Sequence, residues 1–293
     1  MAPSQDVSLH PVAHAITGIR QMGRAMASAL LQSRKTDIVH RLILSVKSKK
    51  SQVQLQNQFA TYHEQVKVLR GQNVEAAQEA DTIILAHMPY VVKDILSEKG
   101  MREAFKKKLV ISILAGINAK KIQGALGIPD GQQEYDLIRA MPNLATSLRE
   151  SMTVVKEPGP DASPESLEKA TRILKQFGST VTVPDETYHA AGILTGAYFA
   201  LTSIAMDGMA DAALAAGMTQ AQVNAVAIQC LKGWAKLLEQ GKTPTDIREF
   251  LAAPEGASYQ GIATLDRANA RATFSEAFER AVDRAKELEE RGN

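Results

Sequence analysis

Between residues 12 and about 185 short apolar runs recur with helical stretches between them, and after residue 186 they stop. That alternation restricts the fold more than any other feature of the chain. VAHAIT (12–17), RLILSV (41–46), VKVL (66–69), TIILAH (82–87), LVISILAG (109–116) and DLIRAM (136–141) are each too short for a helix. A helical pattern runs from Met22 to Gln32, and another through SQVQLQNQFA. Short apolar runs spaced by helices predict βαβ units and a mostly parallel sheet. MTVVKE (152–157) and STVTVPD (179–185) read as late strands around the helix SPESLEKATRILKQF, with Ser163 as N-cap and Pro164 in its first turn. Beyond residue 186 Ala, Met and Leu follow helical spacing almost to the end. Thr219 with Gln222, and Thr243-Pro244-Thr245-Asp246, carry helix-start patterns, and SEAFERAVDRAKELEERGN is an amphipathic helix. The expected architecture is an α/β, Rossmann-like N-terminal domain with a mostly parallel sheet (1–185), then an all-α C-terminal domain (186–293).

A net charge of +2 gives no general attraction to nucleic acid or to a membrane. The single cysteine, Cys230, excludes an internal disulfide and a multi-cysteine metal site, and no metal site is expected. It stands in an apolar helical stretch, where burial by packing is expected. MAPSQDVSLHPVAHA lacks the cationic start and apolar block of a signal peptide. The most apolar run, Ala190 to Met206, includes Thr195, Tyr198, Thr202 and Ser203 and ends at Asp207, which suits a buried helix better than a membrane span. A soluble, cytoplasmic protein is the expectation.

ITGIRQMGRAM (16–26) holds most of a phosphate-cradling glycine turn. In such a turn the first glycine bends the chain off the strand, the second admits the pyrophosphate, and the third lets helix and strand pack. The helix N-terminus then offers free N–H groups and a positive dipole end. Gly18 and Gly23 take the first and third places, with Gln21 and Met22 between them and the helix, but Arg20 stands where the second glycine belongs. A side chain held in strained dihedrals there costs about 1–3 kcal/mol, or roughly one to two orders of magnitude in affinity. A guanidinium offsets that cost if it bonds the phosphates. Arg20 therefore either grips a diphosphate or plugs its site.

After the second strand an acid would accept the ribose hydroxyls of NAD. Here stand Lys47, Ser48, Lys49 and Lys50, which suit the extra phosphate of NADP or form a solvated basic loop. His87, Met88 and Pro89 follow the fourth strand, and Ala115 and Gly116 end the fifth, both where strand carboxyl ends line a ligand crevice. A lone histidine at such a place is more often held by packing or by a backbone bond than engaged in chemistry. A short-chain dehydrogenase is excluded, because no tyrosine, at 62, 90, 135, 188, 198 or 259, has a lysine four residues on.

Taken in order, these motifs resemble the pyrroline-5-carboxylate reductase family over residues 12 to 288. GIRQMG (18–23) stands for G-x-G-x-M-G, HMP (87–89) for V-K-P, SILAG (112–116) for S-x-x-A-G and RAMPNLA (139–145) for R-x-M-T-N-T-P. TGAYFAL (195–201) is similar to S-G-S-G-P-A-Y, and APEGAS (253–258) to S-P-G-G-x-T. The resemblance implies NADPH-dependent reduction of a cyclic imine to a secondary amine, in dimers or larger assemblies built by interleaving helical dimerisation domains. Catalysis would rest on positioning and charge stabilisation, since a basic imine can arrive protonated.

By that resemblance Asn143, Thr195, Glu255, Gly256 and Ala257 contact substrate, and Ser258 and Tyr198 are the candidate catalytic residues. The departures fall at the site. Ala253 lacks a hydroxyl that would hold the substrate carboxylate, whereas Ser258 keeps one. Glu255 replaces a glycine and sets a negative charge beside that carboxylate. Tyr198 and Phe199 replace Gly-Pro. These changes point to a non-standard imine, such as one of specialised metabolism, with pyrroline-5-carboxylate itself left open. NADP(H) is the expected cofactor unless Arg20 has spoiled its site, in which case a non-redox isomerase or cyclase on the same scaffold is the alternative.

Overall fold

A computed structural model of the chain describes residues 13–17, 19, 21–33, 38, 40–159 and 162–291. Eight strands form one sheet: β1 (Ala13–Thr17), β2 (Arg41–Val46), β3 (Val66–Arg70), β4 (Thr82–Leu85), β5 (Leu109–Ser112), β6 (Asp136–Met141), β7 (Ser151–Lys156) and β8 (Gly178–Val183). Their order across the sheet is β3-β2-β1-β4-β5-β6-β7-β8, and every pair is parallel except β6 with β7. The helices of this region are α1 (Gln21–Gln32), α2 (Lys49–Gln58), α3 (Asn73–Glu79), α4 (Val92–Leu96), α5 (Met101–Phe105), α6 (Ala119–Ala125) and α7 (Pro164–Leu174).

Successive side chains of a strand point to opposite faces, and both faces here are buried. Ile84 of β4 enters a core with Ile16, Met26, Leu30 and Phe177. Its neighbours Ile83 and Leu85 enter the opposite core with Phe105, Val110 and Tyr135. Expected strands four and five run shorter than their apolar stretches. The chain leaves β5 at Ser112, whose hydroxyl accepts the Leu114 N–H at 3.4 Å, and Gly116 then takes φ +70°. Ser163 caps α7 as expected: its Oγ accepts the Ser166 N–H at 3.1 Å and donates to Asp136 at 2.9 Å.

Gly178 is a position that no other residue can hold. Its φ is +138°, and a Cβ there would lie 2.2 Å from the carbonyl oxygen of Ser151 on the paired strand. The left-handed half of backbone space and the close strand approach both require a bare main chain.

From residue 185 the chain is helical: α8 (Asp185–Ala215), α9 (Gln220–Glu239), α10 (Pro244–Leu251), α11 (Ala257–Arg267) and α12 (Ala270–Arg291). Thr219 with Gln222, and Thr243 with Asp246, form complete capping boxes at α9 and α10. By compactness the chain divides into two units. One holds the residues up to Thr195 together with those from Val282 onward, and the other holds Gly196–Ala281.

Two burial expectations are corrected. Cys230 is exposed. The apolar run within α8 is largely exposed as well, with Tyr198, Ile204 and Met209 each about two-thirds accessible. The helices of Gly196–Ala281 are apolar on more surface than they cover for one another, so composition alone does not put these side chains inside. Among the described residues α8 is the one helix long and apolar enough to cross a membrane by length and composition, although it carries Asp207 and Asp211.

Candidate active site

The order of the sheet reverses at β1, which has β2 on one side and β4 on the other. The connections that leave β1 and β4 diverge at their carboxyl ends, and a ligand crevice opens at such a switch point. A cavity of about 530 Å³ lies there, walled by Ile19 after β1, by the end of β2 with the start of α2, and by the segment after β4.

Lys47 and Ser48 line this cavity with Ser51. Ser48 is the N-cap of α2: its Oγ accepts the Ser51 N–H at 3.1 Å and lies 3.0 Å from the Ser51 hydroxyl. Two hydroxyls and the Lys47 ammonium thus share one wall. That donor set suits phosphate.

His87 and Met88 form the facing wall. His87 is 5% exposed, and its Nδ1 donates to the Met88 carbonyl at 3.0 Å. Burial lowers its pKa, which the backbone bond only partly counters, so the ring is neutral at neutral pH. Its Nε2 is buried and has no partner among the described residues. The histidine is thus backbone-bonded, as a lone histidine there commonly is, and it leaves one buried acceptor unsatisfied by those residues. Pro89 opens the short 3-10 turn Pro89–Val91 that follows.

Other expected cofactor residues divide. Gly18 and Arg20 lie outside the described residues. Gln21 is exposed at the start of α1, and Met22 packs against the core beside it. Gly23 sits close to the sheet, where an added Cβ would meet Ile19, Ala86 and Ile16 at 3.4–3.5 Å. Ala115 is exposed after β5, and Gly116 faces the end of α12, where a Cβ would lie 3.2 Å from Leu288. Lys121 closes this contact by donating to the Gly116 carbonyl at 3.0 Å and the Leu288 carbonyl at 3.4 Å.

The expected substrate residues are less concentrated. Asn143 is buried, and its Oδ1 accepts the Ala145 N–H at 3.0 Å, capping the short helix Leu144–Leu148. That oxygen is therefore taken by the fold. Thr195 donates to the Gly192 carbonyl at 2.8 Å. Tyr198 and Phe199 are exposed on α8, outside any core. Ser258 is exposed in the first turn of α11, following Ala257.

Glu255 is the most informative of these residues. The Gly256 N–H reaches back to the Ala253 carbonyl at 3.0 Å, Pro254 stands second in that turn, and Glu255 has φ +64°. This is the pattern of a type II turn, whose third position favours glycine. A glutamate held there costs about 1 kcal/mol or more. Gly256 is the N-cap of α11 and supplies no side-chain bond, so the first N–H groups of that helix find no partner among the described residues, and the Glu255 carboxylate beside them in sequence is exposed.

Sequence reasoning passed over two polar groupings. Ser45, Asn73 and Glu98 form a chain along the cavity, and the carboxyl-end rule could have flagged Asn73, which opens α3 just after β3. Arg139 makes a two-pronged ion pair with Glu289, which also meets His189 Nε2 at 3.0 Å, and its guanidinium lies 5.0 Å from the Tyr188 ring centroid. No local signal marks that pairing.

A doubly wound sheet with a phosphate-suited cavity at its switch point is the arrangement of a dinucleotide-binding protein, and the comparisons make the class an oxidoreductase. Residues 14–116 match the family model "NADP oxidoreductase coenzyme F420-dependent", and residues 185–288 match "Pyrroline-5-carboxylate reductase dimerisation". A pyrroline-5-carboxylate reductase of Lophium arboricola is 32% identical over 295 residues, covering 94% of this chain and 92% of that protein. The delta-1-pyrroline-5-carboxylate reductase kk1I of Curvularia clavata is 34% identical over 229 residues, covering 78% and 72%. The NADP-bound structure of Plasmodium falciparum pyrroline carboxylate reductase superposes with a TM-score of 0.81 at 19% identity, covering 95% and 98%, and so shares the fold. The chain belongs to the pyrroline-5-carboxylate reductase family. It is an NADP(H)-dependent oxidoreductase whose C-terminal helical region matches the family's dimerisation domain.

Proposed function

We propose that the protein reduces a cyclic imine other than pyrroline-5-carboxylate with NADPH, and that its preferred substrate lacks a carboxylate at the ring. NADPH, when bound, supplies a hydride to the imine carbon. The C=N bond becomes a C–N single bond, and the nitrogen of the protonated imine ends as a neutral secondary amine. In this reading Lys47, Ser48 and Ser51 hold the 2′-phosphate end of the cofactor, and His87 and Met88 border its adenosine half. Ala115 and Gly116, outside that cavity, are given the nicotinamide end by the family resemblance. The α11 turn, with Glu255, Gly256, Ala257 and Ser258, receives the imine ring, and Tyr198 is a second polar contact to it.

The observation that carries this reading is Glu255. It keeps a carboxylate at a φ of +64°, where glycine would be unstrained, next to free helix N–H groups. Strain retained at a site is a signature of function. The charge repels a substrate carboxylate and favours the cationic, protonated form of an imine. Ala253, which offers no hydroxyl, points the same way. The exposed apolar surface of α8 and α9 supports a homodimer or larger assembly in which a second copy covers it.

NADPH oxidation with pyrroline-5-carboxylate and with 2-methyl-1-pyrroline tests the substrate assignment. The uncharged ring should give the higher kcat/KM, and Glu255→Gly should raise kcat/KM for the carboxylate substrate about ten-fold. A wild-type preference for pyrroline-5-carboxylate refutes it.

A further inference from the structure

We propose that Glu98 reads the amino group of the cofactor's adenine ring, with Asn73 as the residue that positions it; this rests on the cofactor-site reading above. Ser45, at the end of β2 and fully buried, donates its hydroxyl to Asn73 Oδ1 at 2.6 Å. Asn73 Nδ2 donates to Glu98 Oε1 at 2.6 Å. A carboxylate only accepts, so the amide nitrogen must face Glu98 and the amide oxygen must face Ser45. The orientation of Glu98 is thus fixed from the core outward, and its Oε2 accepts no bond from the described residues.

All three residues line the switch-point cavity. Its other walls are phosphate-suited at Lys47 and apolar at Met88, Val91 and Ile95. His87, almost wholly buried on the same cavity, leaves its Nε2 unpartnered, a second polar atom that the described residues do not satisfy. A flat purine laid on the apolar wall, with its phosphate toward Lys47, presents its ring edge to the remaining acidic wall. An exocyclic amine donates to the free Glu98 oxygen. A carbonyl at the same ring position sets two acceptors against each other, and sites built to hydrogen-bond a group reject the analogue that lacks it. The class of base selected is therefore a 6-aminopurine.

The test compares binding of NADPH with that of its hypoxanthine analogue, in which a carbonyl replaces the 6-amino group, by nicotinamide fluorescence on the intact protein. Wild type should bind NADPH at least about ten-fold more tightly. Glu98→Ala should bring the two affinities within about two-fold, Glu98→Gln should abolish or reverse the preference, because Asn73 Nδ2 claims its amide oxygen and turns its amide nitrogen toward the base, and Asn73→Ala should reduce it. The ratio is internal to each variant, so a general loss of stability does not mimic the result. Equal binding of the two dinucleotides by wild type, or an unchanged ratio in Glu98→Ala, overturns the assignment. If wild type binds neither, the cofactor-site reading fails, and this inference with it.

Discussion

Arg139 and Glu289, 150 residues apart in sequence, meet through two hydrogen bonds of 3.0 and 2.8 Å with side chains only 7% and 15% exposed. The pair fastens the last turns of α12 to β6, beside the loop after β5, where Leu288 meets Gly116. Breaking a buried pair leaves one charge without compensation, at a cost of about 3 kcal/mol or more, whereas exchanging both partners for apolar groups is often close to neutral. Glu289→Ala should lower the unfolding free energy by that amount, read as a fall in the urea midpoint at unchanged slope, and Arg139→Met with Glu289→Leu should recover most of it. A Glu289→Ala midpoint equal to wild type would show the contact to be idle.

Two glycines make opposite predictions. Gly178→Ala places a methyl 2.2 Å from the Ser151 carbonyl oxygen at a φ of +138°, so β7 and β8 must separate to admit it. A loss of about 3 kcal/mol or more is expected, read as a large fall in Tm or in soluble yield. At Gly23 a methyl meets its neighbours at ordinary contact distance, and helix propensity favours alanine by about 1 kcal/mol. Gly23→Ala should therefore keep or slightly raise Tm. A Gly23→Ala variant as damaged as Gly178→Ala would contradict this account of the close packing between α1 and the sheet.

The strands were legible because burial on both faces writes an unbroken apolar run into the sequence: RLILSV became β2 without the shift of a residue. The caps at Ser163, Thr219 and Thr243 were legible because a cap is a local pattern. The basic wall at Lys47 and Ser48 was legible because the carboxyl end of a strand is a known address. What escaped was non-local or ambiguous in sign. The partner of Arg139 lies at the far end of the chain. Ser45, Asn73 and Glu98 are ordinary polar residues until the fold sets them in line. The apolar run of α8 states that something covers it but not whether the cover is the same chain.

Acid should weaken the protein through His14. The ring is fully buried on β1, and its Nε2 donates to the Ile38 carbonyl at 2.7 Å, leaving Nδ1 without a partner among the described residues. Burial, helped by the positive charge of Lys169 and opposed by the Ile38 bond and Asp81, lowers its pKa to about 4 from 6.5. The sign follows from proton uptake. Between pH 6.5 and 4 the unfolded chain binds a proton at this residue that the folded chain refuses, so stability is retained above that window and falls as pH drops through it. The full shift corresponds to about 3 kcal/mol. His87, shifted in the same direction, adds to the effect. Urea midpoints measured from pH 7.5 to 4 should fall steadily below pH 6.5, and His14→Phe should flatten that slope whatever its own stability at pH 7.5. An equally steep slope in the variant would remove His14 from the account.

Lys47 offers the cleanest test of which dinucleotide the cavity favours. Ser48 is a poorer choice, since it also caps α2 and its loss costs about 1 kcal/mol of helix stability. The Lys47 side chain makes no hydrogen bond or ion pair among the described residues, so its replacement removes charge without disturbing a structural contact. A 2′-phosphate meets that ammonium only in NADPH, because NADH carries a hydroxyl there. Lys47→Glu should therefore weaken NADPH binding by about ten-fold or more through loss of attraction and added repulsion, while leaving NADH within about three-fold. The change in NADPH affinity should shrink as salt rises, since an exposed charge is screened over about 10 Å at 0.1 M. An equal loss for both dinucleotides would place Lys47 away from the distinguishing phosphate.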